Sequence, residues 1–492
     1  MTETAKKKRG MPSSFTILLA LLAIVAVITV IVSGTSGGAV TAARLSDFCT
    51  APILGFADAL PVCLFVMILG GFLGMMTETG ALDNGIAVLV QKLKGNEIML
   101  IPVLMLIFSL GGTTYGMCEE TVPFYALLAA TMMAAGFDPM VGAATVLLGA
   151  GCGCLGSTVN PFAVGAAVDA LTGVDIAVNQ SIIIGLGAVL WIVTTVMSIV
   201  FVMSYAKKVK ADKGSTILSM QELKDAEEAH GKAASEVNKE VKLTGRQKGV
   251  LIAFAFTFVV MIVGFIPLAD LNEGVANFFD AGAVYDADGN AVVQGWSALI
   301  TGLPIGQWYF DEASTWFFLM AVLIGIIGGL SEKQIVNTFI TGAADMMSVV
   351  LVIALARGIS VLMANTGLDV YVLDAAANAL AGLSGVIFAP MSFLVYFGLS
   401  FLIPSTSGMA TVSMPIMGPL AVKLGFSPEV MVMIFSAAIG VVNLFTPTSG
   451  AIMGGLALAK IEWTTWLKFA LKLIVALSVV CAIILTVACV LI

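Results

Sequence analysis

Two adjacent carboxylates stand in one of the most apolar parts of the sequence. Glu119 and Glu120 interrupt the run Gly111–Phe124, which reads GGTTYGMCEETVPF, and no Lys or Arg occurs between Lys94 and Lys207. A charged acid in the middle of a bilayer costs about 3 kcal/mol on insertion scales. Because two adjacent acids also repel each other, the pair requires a proton, Na⁺ or the amine of a substrate.

Two apolar segments end in short runs of Gly, Ser, Thr, Asn and Pro, namely GSTVNP at 156–161 and TPTSG at 446–450. Proline ends a helix, and every backbone group inside a membrane needs a partner. A polar substrate or an ion can supply those partners. Either break alone is equally well explained as a kink, but two breaks at matching positions favour one shared site. The predicted binding residues are Ser157, Thr158, Asn160, Thr446, Thr448 and Ser449.

Two further stretches, Gly111–Thr121 and Pro404–Ser413, predict the tips of re-entrant hairpins. Small hydroxyl residues flank glycines there, and the arms on either side are too short for two full membrane crossings. The candidate binding residues at these tips are Thr113, Thr114, Glu119, Glu120, Ser405, Thr406 and Ser407.

Arg357 is the lone basic residue in the apolar run Met346–Asn365. Its guanidinium is expected either to bind a substrate carboxylate through two hydrogen bonds or to form a structural ion pair. The partners considered for that pair are Asp345 and a hairpin glutamate. The sequence leaves the two alternatives open.

The elements that must position these residues are membrane helices. The chain has 492 residues, of which 59% are hydrophobic and 11% charged, far from the balance of soluble domains. This composition predicts an all-α polytopic membrane protein with room for ten to thirteen spans of about 20 residues. The sequence contains no phosphate-binding G-x-x-x-x-G-K-[ST] motif and no H-E-x-x-H motif. We therefore expect no enzyme, no nucleic-acid partner, and no cofactor beyond Na⁺ or H⁺ as a coupling ion.

Charge divides the chain into six parts. Residues 1–16 hold a basic cluster and predict a cytoplasmic N-terminus, and the first membrane repeat is expected at 17–205. Residues 206–248 carry ten Lys and Arg, which predicts a mobile cytoplasmic linker. An extra transmembrane helix (249–268), an acidic extracytoplasmic loop (269–313) and the second repeat (314–492) follow. The expected location is the inner, or plasma, membrane of a bacterium, with lipid as surroundings.

The second half of the chain repeats the pattern of Gly and Pro residues found in the first. Gly116-Met117 and Pro123 match Gly408-Met409 and Pro415, and GFDP at 136–139 matches GFSP at 425–428. Since the linker and a later lysine-rich turn, 460–472, both read as cytoplasmic, the two copies are predicted to be inverted. The number of crossings stays open, because it requires 79–94 and 369–383 each to cross or to dip.

The run GGTTYGMCEETVPFYALL, together with GSTVNPFAVG and GGFLGMMTETGALDNGI, resembles the anaerobic four-carbon-dicarboxylate carrier (DcuC) family. It is most similar to the YfcC-like branch, whose members are described as basic amino acid or arginine/ornithine antiporters. The resemblance implies the ion-transporter-superfamily fold, with inverted repeats, hairpins, a dimerising scaffold and an elevator-like transport domain. It also implies that the hairpin and helix-break residues named above form the binding site.

These observations predict a secondary active transporter that moves a small carboxylate-bearing metabolite by alternating access. The expected cargo is a basic amino acid, such as arginine exchanged for ornithine, because a cationic side chain would relieve the repulsion between Glu119 and Glu120. The alternative is a Na⁺- or H⁺-coupled four-carbon dicarboxylate transporter in which the glutamates bind the cation.

Overall fold

The computed structural model describes residues 14–82, 84–85, 88, 96–237, 242–266, 268–271, 273–286 and 291–492, and its regular structure is almost entirely helical. Within these residues, eight helices are long and apolar enough to cross a membrane, and four shorter apolar helices accompany them. The predicted all-α polytopic fold class is confirmed. Fewer helices reach full length than the ten to thirteen expected, because those next to the tips and breaks are short.

The described part of the first half contains α1 to α8. Their bounds are α1 Ser14–Ser33, α2 Leu45–Asp58, α3 Leu60–Glu78, α4 Leu100–Tyr115, α5 Val122–Ala134, α6 Pro139–Leu155, α7 Ala166–Thr172 and α8 Gln180–Ala211. A one-turn 3₁₀ helix, Glu119–Thr121, precedes α5, and a π-helical turn, Pro161–Gly165, precedes α7. Helix α6 shows how local chemistry sets a helix start. The Asp138 side chain accepts a hydrogen bond from Val141 N, and Pro139 is the first residue of the helix.

The middle of the chain separates the two halves. Its elements are α9 Met220–Val237, α10 Gly245–Phe265, α11 Leu268–Leu271, α12 Glu273–Phe279, β1 Val284–Tyr285 and β2 Ala291–Val293, the last two paired as an antiparallel hairpin. The predicted extra transmembrane helix is α10. We call the end of the molecule at which α9 lies the linker side and the end at which α11 and α12 lie the loop side.

Among the described residues, the helices of the second half follow the same order as those of the first. Its helices are α13 Phe310–Gly328, α14 Glu332–Asp345, α15 Met347–Thr366, α16 Leu368–Leu380, α17 Gly385–Leu402, α18 Thr406–Lys423, α19 Pro428–Val442, α20 Gly450–Leu458 and α21 Trp463–Leu491. Helices α2 and α14 each have 14 residues, and α3 and α15 have 19 and 20. Tip and break follow in the same order in both halves.

Two glycine contacts show that the halves are related by a two-fold axis. A Cβ on Gly55 would lie 2.7 Å from Gly358 Cα, and a Cβ on Gly342 would lie 3.1 Å from Gly71 Cα. Gly55 and Gly342 occupy matching places in α2 and α14, and Gly71 and Gly358 occupy matching places in α3 and α15. The same contact is therefore made twice with the roles of the repeats exchanged, which is the signature of an isologous interface.

The last helix of each repeat shows the inversion. Rings of Tyr205 and Phe201, near the end of α8, lie 4.9 and 5.0 Å from the ring of Phe469, in the second turn of α21. The end of α8 thus lies beside the beginning of α21, and these matching helices run in opposite directions. This arrangement confirms the predicted inverted repeats.

The predicted register between the hairpin tips is wrong. Gly116 ends α4 with a φ of 78°, whereas Gly408 lies inside α18, and Pro123 is the second residue of α5, whereas Pro415 lies in the middle of α18. When the helix starts of the two halves are aligned, residues 118–120 correspond instead to residues 405–407. The Gly and Pro matches misled because these residue types serve different helix positions in the two halves. Of the two segments that decide the number of crossings, 369–383 becomes α16, and 83, 86–87 and 89–95 lie outside the described residues.

The linker is more ordered than its composition predicts. Helix α9 packs against α5 and buries one stripe, Glu222, Ala226 and His230. His230 Nε2 lies 3.0 Å from Leu458 O at the end of α20, and Glu222 Oε1 accepts a hydrogen bond from Glu462 N. The prediction of a mobile connector is wrong for the described residues, because this helix has a buried face that its average polarity conceals. The segment 238–241 and the basic N-terminus, 1–13, lie outside the described residues.

Docking of α9 should depend on pH. Burial lowers the pKa of His230 from its ordinary 6.5, and the positive charge of Lys460 acts in the same direction. Between the lowered pKa of the docked state and the ordinary value of 6.5, His230 is therefore more protonated when α9 is undocked than when it is docked. Docking is consequently complete above about pH 6.5 and weakens as the pH falls through the lowered pKa. We expect limited proteolysis within 206–237 to accelerate below pH 6.5. A His230→Gln variant should lose that acceleration, and an unchanged pH profile in the variant would contradict the assignment.

Candidate functional site

The first hairpin tip is tied to the first helix break by hydrogen bonds between Thr113 and residues 156–159. The Thr113 hydroxyl donates to Gly156 O at 2.6 Å, and Thr113 O accepts from Thr158 N at 2.9 Å and from the Thr158 hydroxyl at 3.0 Å. These bonds satisfy two carbonyls that lack helical partners, Gly156 O after the end of α6 and Thr113 O near the end of α4. Thr113 and Thr158 therefore hold the tip and the break together.

Asn160 organises the restart of the helix after the first break. Its side-chain oxygen accepts from Phe162 N at 2.9 Å and from Ala163 N at 3.3 Å, and its amide donates to Ser157 Oγ at 2.9 Å. Gly116, in the hairpin tip, packs directly on this amide, because a Cβ at Gly116 would lie 2.5 Å from Asn160 Oδ1. The tip and the capping side chain thus fit only with glycine at 116.

The second break is satisfied from α21. The indole nitrogens of Trp463 and Trp466 donate to Phe445 O at 2.7 Å and to Leu444 O at 2.9 Å. Within the break the hydroxyls of Thr446 and Thr448 lie 2.7 Å apart. Side chains of the protein thus pair with backbone carbonyls at both breaks.

Both tips and both breaks meet around one cavity of about 170 Å³. Nine of the predicted residues line it: Glu119, Glu120, Asn160, Arg357, Ser405, Thr406, Ser407, Thr448 and Ser449. The other five predicted residues lie next to it, in the framework of the tips and breaks: Thr113, Thr114, Ser157, Thr158 and Thr446. Thr114 donates to Leu110 O inside α4, and Ser157 donates to Cys154 O.

Sequence reasoning missed several residues that line the cavity. Ser436 and Asn443 on α19, and Cys118 and Cys154 in the first repeat, contribute polar or thiol groups, and Phe162 and Phe310 contribute rings. The signal for the α19 pair was present, since Ser436 and Asn443 are seven residues apart and share one helix face. The face that points to the cavity depends on how α6 and α19 cross, which spacing alone does not give.

The acidic pair lies deep in the site. Glu120 is 2% exposed and its Oε2 accepts from Cys118 N at 2.9 Å, while Glu119 is half-buried. Arg357 is close enough to Glu119 for their charges to interact. Among the described residues that line the cavity, Arg357 is the only basic one.

Arg357 forms an ion pair with a residue that sequence reasoning did not name. Its Nε lies 2.8 Å from Asp58 Oδ2 at the end of α2. Asp345, the partner considered from sequence, ends the matching helix α14 and is exposed. The two-fold relation thus yields two aspartates at equivalent helix ends, of which Asp58 meets the guanidinium.

A buried apolar cluster borders the cavity and includes Val66, Val122, Met346, Val349 and Ala451, and we call it the seal. Leu458, whose carbonyl contacts His230 on the linker helix, packs against the seal. Toward the loop side the cavity reaches Phe310, the first residue of α13.

Substitution of Gly116 by Ala should abolish transport while the protein remains folded. The added methyl group would displace the Asn160 amide. Alanine would also have to adopt the left-handed conformation of position 116, where φ is 78°, at a cost of roughly 1–2 kcal/mol. Gly136→Ala is the matched control, because Gly136 has a φ of 86° but no atom within 4 Å of the added group. Uptake into proteoliposomes should fall at least about tenfold in the first variant only. Equal loss in both variants would show that the Asn160 contact is unimportant.

Comparisons with known proteins place the chain among membrane carriers. The sequence model of the DcuC family, described as C4-dicarboxylate anaerobic carriers, matches residues 35–490. A Haemophilus influenzae protein of uncharacterised function is 29% identical over 445 residues, covering 90% of this chain and 78% of that protein. An Escherichia coli K12 protein named "Putative basic amino acid antiporter YfcC" is 27% identical over 424 residues, covering 84% and 74%.

Two solved structures are similar at lower identity. MtrF of Neisseria gonorrhoeae, described as illuminating a class of antimetabolite efflux pumps, is 16% identical with a TM-score of 0.45, covering 98% of this chain and 96% of MtrF. The YdaH transporter of Alcanivorax borkumensis is 15% identical with a TM-score of 0.47, covering 96% and 97%.

Proposed function

Given that the chain belongs to the C4-dicarboxylate anaerobic carrier (DcuC) family, and is thus a multi-pass membrane transporter, we propose that its cargo is a basic amino acid. Arginine exchanged for ornithine is the specific pair we put forward. The observation that carries the proposal is the position of Glu119 and Glu120, side by side in a cavity formed by the two tips and the two breaks. We propose transport and no catalytic activity.

Charge at the site favours a cationic cargo. Three carboxylates, Glu119, Glu120 and Asp58, lie at or next to the cavity, where Arg357 supplies the single guanidinium among the described lining residues. A side-chain ammonium or guanidinium brought between the glutamates would offset their repulsion, and its hydrogen bonds to them would be charge-assisted. The substrate carboxylate would then face hydroxyls and helix N-termini in the second repeat, around Ser405–Ser407 and Ser449, where oriented N–H groups favour anions.

The repeat relation supports alternating access. Ala59 and Val62 on the first repeat line the cavity, whereas their counterparts Met346 and Val349 on the second repeat do not. Ala59, Met346 and Val349 belong to the same buried apolar cluster. If the two repeats exchanged conformations, the seal would open toward the linker side and a new seal would form toward the loop side. We propose that this exchange proceeds by an elevator-like movement in a homodimer, in a bacterial inner membrane with the N-terminus and the linker in the cytoplasm.

The runner-up cargo is a four-carbon dicarboxylate, favoured by the presence of Arg357 in the cavity. Such a cargo would add two negative charges beside Glu119 and Glu120. It would therefore require Na⁺ or H⁺ bound with it, and transport would depend on the gradient of that ion.

Counterflow in proteoliposomes tests the proposal. Vesicles loaded with ornithine should accumulate labelled arginine, and succinate should neither enter nor compete. Because a charge-assisted hydrogen bond contributes about 1.5–3 kcal/mol, Glu119→Gln and Glu120→Gln should each raise the arginine KM by at least about tenfold. Glu429→Gln is the matched control, since Glu429 is a buried glutamate that accepts from Asn179 N and lies off the cavity.

Two results would contradict the proposal. Succinate uptake driven by an ion gradient, with no response to arginine, would establish the dicarboxylate alternative. Full arginine exchange in both glutamine variants would show that Glu119 and Glu120 do not bind the substrate.

A further inference from the structure

One face of α19 lines the cavity and carries polar groups that the opposite helix lacks. Ser436, Ile439, Gly440 and Asn443 lie on this face, at the spacing of one helix side. The matching face of α6 presents Leu147 at the place that corresponds to Ser436. The two repeats therefore share a backbone arrangement but differ here in chemistry, and a hydroxyl stands where its counterpart is aliphatic.

Ser436 is buried without a hydrogen-bond partner. It is 1% exposed, and within the part of the chain that the structure describes its Oγ contacts no donor or acceptor. Hydroxyls on neighbouring helices behave differently: Thr145 donates to Val141 O at 2.8 Å and Ser400 donates to Tyr396 O at 2.6 Å. Since a buried polar group without a partner is unfavourable, an unpaired hydroxyl in a cavity wall indicates a ligand that supplies the missing bond.

The crossing of the two central helices places Ser436 at the first-repeat end of the cavity. A Cβ on Gly440 would lie 2.4 Å from Leu155 Cα, and a Cβ on Gly151 would lie 2.3 Å from the Leu444 side chain. The helices are therefore antiparallel, and the part of α19 before Gly440 lies beside the break that follows α6.

This end of the cavity is also the acidic end. Helix α19 contacts the π-helical turn Pro161–Gly165, and Asn160, which caps that turn, packs on the first hairpin tip through Gly116. The hairpin tip carries Glu119 and Glu120. The unpaired hydroxyl and the two carboxylates thus belong to the same end of the cavity.

We propose that Ser436 is a specificity-determining residue whose hydroxyl oxygen accepts a hydrogen bond from a guanidinium held by Glu119 and Glu120. The inference rests on the proposed function and adds to it the class of head group that is preferred. A guanidinium presents five N–H donors in a fixed plane, so it needs acceptors on more than one side. An ammonium has three donors that rotate freely, so the glutamates can satisfy it without the serine.

The test compares Ser436→Ala with Ser314→Ala in full-length protein. Ser314 on α13 is likewise buried, at 4% exposure, with an unpaired hydroxyl, but it lies outside the cavity. In Ser436→Ala we expect the arginine KM to rise about tenfold, the typical effect of losing one hydrogen bond to a charged group. The ornithine KM should change less than twofold and the maximal rates should stay the same. Ser314→Ala should match wild type for both substrates, and neither variant should lose thermal stability.

The outcomes separate the two proposals. If wild type exchanges arginine and ornithine but Ser436→Ala leaves both KM values unchanged, or raises them equally, the assignment of Ser436 is overturned and the proposed function stands. If wild type transports neither amino acid, the proposed function is overturned and the guanidinium preference falls with it.

Discussion

The structure depends on one constraint: inside a bilayer every backbone N–H and C=O must find a partner within the protein. Breaking a helix at mid-depth violates that rule unless side chains repair it. In the first repeat the repair comes from Thr113, Thr158 and Asn160, which bond to the carbonyls and amides around the break. In the second repeat it comes from Trp463 and Trp466. Because these contacts hold the breaks open, polar groups can line a cavity between helices that are otherwise apolar.

The two-fold relation explains why the two repeats share one helix packing, and it shows which side chains differ between them. Reciprocal glycine contacts give the repeats one common packing scheme. The repeats differ in the side chains at equivalent positions. The carboxylates at 119 and 120 correspond to hydroxyls at 406 and 407, and Ser436 corresponds to Leu147. A symmetric framework that carries an asymmetric site can change access from one side to the other while holding its substrate in one orientation.

The sequence predicted the framework better than the cavity wall. The breaks at 156–161 and 446–450 and the acidic tip were recognisable because Pro, Gly and charged residues are costly in a membrane helix and so stand out from apolar neighbours. The register of the tips was wrong because Gly and Pro serve several helix positions. Asp58, Ser436 and Asn443 were missed because their roles arise from helix crossings between distant segments, such as the approach of Arg357 to Asp58.

The central claim is that the acidic pair binds the positive charge of a basic amino acid. The most direct test of that claim is equilibrium binding of arginine and of citrulline to the purified protein. Citrulline has the same length as arginine but an uncharged side chain. The account predicts that arginine binds at least about tenfold more tightly, since a charge-assisted hydrogen bond contributes about 1.5–3 kcal/mol. Equal affinity for the two ligands would contradict it.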